Sequence, residues 1–179
     1  MGTIKIVLAL LCFTFIGRGN VFNSNLLKSN AERQRILGIA RAELGTREAT
    51  GNNDGKRVEE YLAAVDLPEG HPYCAAFISW VFKEAGYPLP RTGWSPALFP
   101  KNRLVKDIAP ANVFGIYFPS LKRVAHCGFV ERRNGDWMVT LEANTDPSGG
   151  RDGDGVYKRL RHVKTIHSFS DWTRKGGSK

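Results

Sequence analysis

The sequence predicts an α+β fold of one domain. Three observations carry this: apolar residues recur at helical spacing only in the first half of the chain, five prolines interrupt it between residues 87 and 110, and the rest reads as successive strands. At 179 residues there is room for a single core of ordinary size.

The chain opens with Met1 to Lys5, an apolar run from Ile6 to Ile16, and then Gly17-Arg18-Gly19-Asn20, which predicts a secretory leader over residues 1–19. Eleven apolar residues fall short of the roughly 20 that a helix needs to cross a bilayer. A lipid anchor on Cys12 is disfavoured by the bulky Leu11 before it, and Ile6 excludes a myristoylation motif. A polar connector is expected over 20–30. Ser29-Asn30-Ala31-Glu32 has the spacing of a capping box and predicts the start of a helix carrying Leu37, Ala40 and Leu44 on one face and stopping at Gly45.

After the turn cluster Gly51-Asn52-Asn53-Asp54-Gly55, a short helix is expected from Val58, Leu62 and Val65, closed at Leu67-Pro68-Glu69-Gly70. Pro72 suits the first turn of a third helix and Gly86 its stop; between Cys74 and Phe82 only Ser79 is polar. Such a helix is central and buried. Residues 87–110 form a loop-rich excursion fit to wall a cleft. Strands are predicted at Val113–Phe118, Ala125–Arg132, Trp137–Ala143 and Val156–Val163.

The formal net charge is +9, and without Lys5 and Arg18 it is about +7, which favours a polyanionic surface. Nucleic acid and anionic cell wall both answer to that description. Much of the excess lies in Arg151, Lys158, Arg159, Arg161, Lys164, Arg174, Lys175 and Lys179, for which a solvated basic face is the plain alternative. Without the leader only Cys74 and Cys127 remain, too few for a disulfide framework.

Cys74 falls in the first turn of the buried helix. Free backbone N–H groups and the positive end of the helix dipole there favour a thiolate and can stabilise an oxyanion. The plain alternative is a small core hydrophobe. A Cys–His hydrolase also needs a base on a rigid element and a third group to orient the imidazole, and His126 stands at the start of a strand.

A two-residue turn at Asn134-Gly135 would place Ala143 across from His126 and mix polar with apolar faces. A three-residue loop Arg133-Asn134-Gly135, with Gly135 in the left-handed position of a bulge, instead puts Cys127, Phe129, Val139 and Leu141 on a core face. The other face then carries His126 directly across from Glu142, with Asn144 one step on. Packing and chemistry select the same register, in which Glu142 or Asn144 accepts from the ring nitrogen turned away from Cys74. Cys127 is then a structural thiol pointing into the core, with a Cys74–Cys127 bridge as the rival. A zinc site from His71, Cys74, His126 and Cys127 is opposed by strand alternation, which sends His126 and Cys127 to opposite faces. His162 and His167 read as surface residues.

Tyr73-Cys74-Ala75-Ala76-Phe77-Ile78-Ser79-Trp80-Val81 resembles the nucleophile helix of the CHAP family, the cysteine, histidine-dependent amidohydrolases and peptidases. Ala125-His126-Cys127-Gly128-Phe129-Val130 is similar to that family's histidine strand, and Leu141-Glu142-Ala143-Asn144-Thr145 to the strand bringing its further polar residues. Glu43-Leu44-Gly45-Thr46-Arg47-Glu48 and Gly51-Asn52-Asn53 look like the start of the same domain; the resemblance spans roughly residues 31–170. It implies a papain-like α+β fold, with N-terminal helices and the nucleophile at the start of a central buried helix packed on an antiparallel sheet. It also implies Cys74 as nucleophile, His126 as base, Glu142 as orienting carboxylate and Asn144 as supporting polar group. Cys127 departs from the family pattern, which has an aliphatic residue there.

The expectation is thus an exported protein, periplasmic or extracellular, with a leader over 1–19, a connector over 20–30 and a catalytic domain over 31–179. It would cleave amide bonds of peptidoglycan or muropeptides as a monomer with no metal or organic cofactor, no nucleic-acid partner and no stable membrane anchor. The contrasting expectation is a basic wall- or polyanion-binding protein on the same scaffold without catalysis. Acyl transfer to an amine in place of water is a third.

Overall fold

A computed structural model describes residues 16–148 and 152–174, with side chains from residue 24 onward. The leader expected over 1–19 lies outside the described residues except for 16–19, as do Arg151, Lys175 and Lys179. The architecture is α+β, as predicted: three α-helices and a five-stranded antiparallel sheet. Among the described residues no helix is long and apolar enough to cross a membrane.

Helix α1 runs from Ile16 to Ala42, so the connector expected over 20–30 is helical and Ser29 opens nothing. Polar composition does not break a helix. Residues 20–30 hold no proline or glycine, and on an exposed surface Asn and Ser cost only tenths of a kcal/mol each. Ile36, Leu37 and Ala40 are buried, whereas Leu44 lies beyond the helix and is 37% exposed, a correction to the predicted face. Helix α2 (Lys56–Ala63) buries Val58, Tyr61 and Leu62.

Helix α3 (Cys74–Glu84) is the central element, buried without interruption from Cys74 to Phe82. Its N-cap is Tyr73, so Pro72 stands outside the helix and not in its first turn. Phe77 and Phe82 pack edge-on and tilted against Phe129 of the sheet at centroid distances of 6.2 and 5.6 Å, and Tyr61 of α2 meets Phe77 at 5.3 Å. Fully burying a side chain of this size is worth about 1.5–3 kcal/mol. These aromatic contacts fix α3 over the sheet.

The strands are β1 (Val113–Phe118), β2 (Arg123–Asn134), β3 (Trp137–Thr145), β4 (Gly155–His162) and β5 (Ser168–Ser170), in the order β4-β3-β2-β1-β5. The first four match the predicted segments to within a few residues. Three-residue β5 had no sequence signal, since it is held by pairing with β1 on one side and with residues 103–105 on the other. The excursion over 87–110 contains two short 3-10 helices, Ser95–Leu98 and Lys101–Arg103.

The β2–β3 hairpin differs from the expected one. Asn134 pairs with Trp137 around a two-residue loop, Gly135-Asp136, with Gly135 at φ +58 in the position where a type II′ turn favours glycine. The extra residue lies inside the strand: pairing shifts by one between Val130 and Arg132, at Glu131. That buried carboxylate holds Arg41 at 2.6 Å and Lys158 at 3.0 Å. The bulge restores the facing the packing argument required. Cys127, Phe129 and Leu141 enter the core under α3, while Val139 is only half-buried.

Candidate active site

Three elements converge at the start of α3. The helix supplies Cys74, β2 supplies His126, and β3 supplies Glu142; all three are buried, at 4%, 1% and 0% exposure. Nε2 of His126 lies 2.8 Å from Oε2 of Glu142. His126 and Glu142 therefore share a sheet face, as predicted, although the register sets them diagonally. Phe129 pairs with Leu141, so the step before it sets Glu142 beside Gly128. A Cβ on Gly128 would stand 2.8 Å from Cγ of Glu142 and 2.8 Å from a ring carbon of Phe114. Glycine leaves the passage through which the carboxylate reaches the imidazole.

The far side of Glu142 is closed by β4. Arg161 donates from Nε to Oε1 at 2.9 Å and from Nη2 to Oε2 at 2.6 Å, and the Thr140 hydroxyl donates to Oε1 at 2.5 Å. Arg161, one of the C-terminal basic residues, is therefore neither on a solvated basic face nor free for a polyanion. Pairing Met138 with Arg161 places it on the face of β3 that carries Thr140 and Glu142. Strand alternation alone would have grouped Tyr157, Arg159 and Arg161, but not set them against β3. Burial opposes ionisation of Glu142, yet Arg161 and then His126 outweigh it and hold the carboxyl down at about 2.

With Nε2 committed to Glu142, the Nδ1 edge of His126 is left for the thiol, and it meets no oxygen or nitrogen among the described residues. Burial disfavours the imidazolium, but Cys74 and Glu142 more than compensate and raise His126 to about 9. The Cys74 thiol is pushed well below the usual thiol range. A hydrogen bond from Cys127 is the largest cause, opposed by burial and joined by His126 and Ser95. A thiolate–imidazolium pair follows. No side chain caps the first turn of α3, which leaves its dipole directed at the sulfur.

Cys127 is thus more than a structural thiol. It is fully buried in the core, yet it shares the Ser95 hydroxyl with Cys74, and burial, then Cys74, hold its own proton far more tightly than usual. Strand alternation predicted that Cys127 and His126 would not serve one centre. Pairing between β1 and β2 shifts by one residue between Ile116 and Tyr117, just before His126, and such a bulge bends and re-aims a strand locally. Both cysteines are free thiols. Ser95 was also missed; its hydroxyl lies 3.5 Å from Sγ of Cys74 and 4.0 Å from Sγ of Cys127. It sits in the proline-rich excursion, where nothing in the sequence distinguishes one serine from another.

The chain matches no protein-family model and no curated protein.

Asn144 makes no hydrogen bond to the imidazole. It adopts φ +55, and the β3–β4 pairing shifts between Ala143 and Thr145, which turns its side chain to Asn53 Oδ1 at 2.8 Å and the Gly153 carbonyl at 3.2 Å. A straight strand would have kept it on the His126 face. In this structure it ties the turn at Asn53 to the end of β3.

A cleft of about 510 Å³ opens beside Cys74, between the Val65–Leu67 turn, residues 91–95 and the start of β2. The excursion walls it, as predicted. The arrangement provides a nucleophilic sulfur, a proton donor and acceptor fixed by a carboxylate, helix N–H groups for an oxyanion, and an adjoining groove for a substrate chain.

Proposed function

We propose that this protein is a cysteine hydrolase that cleaves amide bonds of peptidoglycan, as an exported member of the CHAP family with a papain-like arrangement. The observation carrying the proposal is the buried imidazole of His126, fixed at 2.8 Å by Glu142, together with a thiol at a helix N-terminus whose ionisation His126 favours. The nine-residue nucleophile segment and the histidine strand support the family reading, and the basic charge supports an anionic wall as target.

The thiolate of Cys74 attacks the amide carbonyl, and the first-turn N–H groups of α3 bind the resulting oxyanion. His126 gives its Nδ1 proton to the leaving amine as the C–N bond breaks, which leaves a thioester on Cys74. Water then attacks the thioester carbonyl. His126 takes its proton, the acid is released, and the thiolate–imidazolium pair returns. Glu142 stays ionised throughout and stabilises the imidazolium.

Incubating purified protein with purified peptidoglycan and weighing the released muropeptides by mass spectrometry tests this, since a product mass names the bond. Cys74→Ala is expected to abolish release while leaving binding to the wall. Equal product from the wild type and the variant would refute the hydrolase and favour a wall-binding protein.

A further inference from the structure

We infer that the cleft beside Cys74 selects a substrate with a free carboxylate next to the cleaved amide, and that Arg123, laid over Trp94, binds that carboxylate. The inference deepens the proposed hydrolase and rests on it for the identity of the substrate, but not for the charge preference of the cleft.

The cleft has a one-sided charge. Its lining includes Arg91 and Arg123 and, among the described residues, no Asp or Glu. Arg91 is committed to the fold: Nη1 donates to the carbonyls of Ser79 and Pro90, and Nη2 to that of Tyr87. It contributes positive potential and shapes the loop.

Arg123 is different. Its Nη1 donates only to the carbonyl of Val124 at 3.1 Å, and among the described residues no carboxylate pairs with it. Several other arginines have acidic partners: Arg33 has Asp171, Arg41 has Glu131, Arg47 has Asp154, and Arg57 has Glu43. Within this cleft Arg91 is held by three carbonyls, whereas the half-buried Arg123 has one, which leaves most of its donors for a ligand.

Its geometry suits a carboxylate. The guanidinium carbon lies 4.2 Å from the centroid of the half-exposed Trp94 ring. Stacking on an aromatic face fixes the plane of the guanidinium and leaves its edge of N–H donors free to grip two oxygens at once. Arg123 is the first residue of β2, three positions before His126, and it lines the same cleft as Cys74. An anion gripped there is therefore bound on the rigid strand that carries the base. Across the cleft, Val65, Leu67 and Pro72 offer an apolar wall for an aliphatic portion of the same substrate. The thiolate–imidazolium pair is neutral as a unit, so the preference for an anion falls to the arginines.

Two measurements test this. In the first, Cys74 is alkylated with anionic iodoacetate and with neutral iodoacetamide, in the wild type, Arg123→Gln and Arg123→Lys. The iodoacetate-to-iodoacetamide rate ratio is expected to fall about tenfold in Arg123→Gln, the scale of one charge-assisted contact, and less in Arg123→Lys, which keeps the charge but not the fork. A ratio unchanged in Arg123→Gln overturns the inference, whatever the enzyme cleaves. In the second, muropeptides with a free or an amidated carboxyl beside the cleaved bond are compared. The wild type is expected to prefer the free carboxyl through a lower KM, and Arg123→Gln to lose that preference. Equal KM values for both substrates in the wild type also overturn it. Failure to cleave either muropeptide would refute the hydrolase, while the alkylation ratio still decides the charge preference.

Discussion

Glu142 holds His126 from one side while being held from the other: its Oε2 lies 2.8 Å from Nε2 of the imidazole and 2.6 Å from Nη2 of Arg161. The carboxylate is fully buried, so its charge is sustained by these two partners and by the Thr140 hydroxyl. An imidazole anchored in this way has one orientation to offer Cys74, and the adjacent carboxylate favours its protonated form.

Glu142→Gln keeps the shape and removes the charge. Turnover is expected to fall about a hundredfold or more, the scale of a general acid–base contribution. The imidazolium loses its anionic neighbour, so the alkaline limb of the pH–rate profile should move towards neutrality. A profile that keeps its alkaline limb while the rate falls would assign Glu142 a purely structural role.

The pH dependence of the wild type follows from the same groups. The alkylation midpoint of Cys74 should lie well below that of an ordinary thiol, because Cys127, then His126 and Ser95, favour the thiolate against burial. Turnover should fall above about pH 9, where His126 loses the proton it must deliver. An alkylation midpoint near the ordinary thiol value of about 8.5 would contradict the thiolate.

Stability has its own window. Glu142 is lowered from 4.5 to about 2, so its contribution is present above pH 4.5 and lost as pH falls towards 2. His126 is raised from 6.5 to about 9, so its contribution is complete below pH 6.5 and lost as pH rises through 9. The pair contributes fully between pH 4.5 and 6.5, and Tm measured against pH should decline on both sides. Glu142→Gln should flatten both declines.

Cys127→Val removes a thiol donor but keeps a small apolar side chain in the core, at an expected cost below about 1.5 kcal/mol. The acid limb of Cys74 alkylation should move to higher pH. An unmoved limb would return Cys127 to a packing role.

Gly128→Ala tests the passage between Glu142 and His126. A methyl group there meets Glu142 Cγ, the Leu141 carbonyl oxygen and a Phe114 ring carbon, each at 2.8 Å. The strand must shift, at about 1–3 kcal/mol by thermal or denaturant unfolding, with loss of activity as the carboxylate is displaced.

Much was legible in the residues themselves. The run Cys74 to Phe82, apolar apart from Ser79, determined a buried central helix, and its start determined where a thiol would meet a helix dipole. Alternation along β2 and β3 put His126 and Glu142 on one face because either odd-residue device, a loop bulge or a strand bulge, preserves the period of two. Which device was used, at Glu131 and not at the turn, depended on the partners Arg41 and Lys158 from other elements. Local pattern likewise could not show that α1 continues through residues 20–30, since exposed polar residues neither require nor forbid a helix.

Tertiary structure alone decided the rest. Ser95 and Arg161 reach the site from segments 21 residues after Cys74 and 19 residues after Glu142, and only folding makes them neighbours. Asn144 is tied to Asn53 and Gly153 at an irregularity in the β3–β4 pairing. A strand's regular alternation is a local property that sequence can express. A bulge is settled by competition among neighbouring strands and buried charges, and only the assembled sheet determines its outcome.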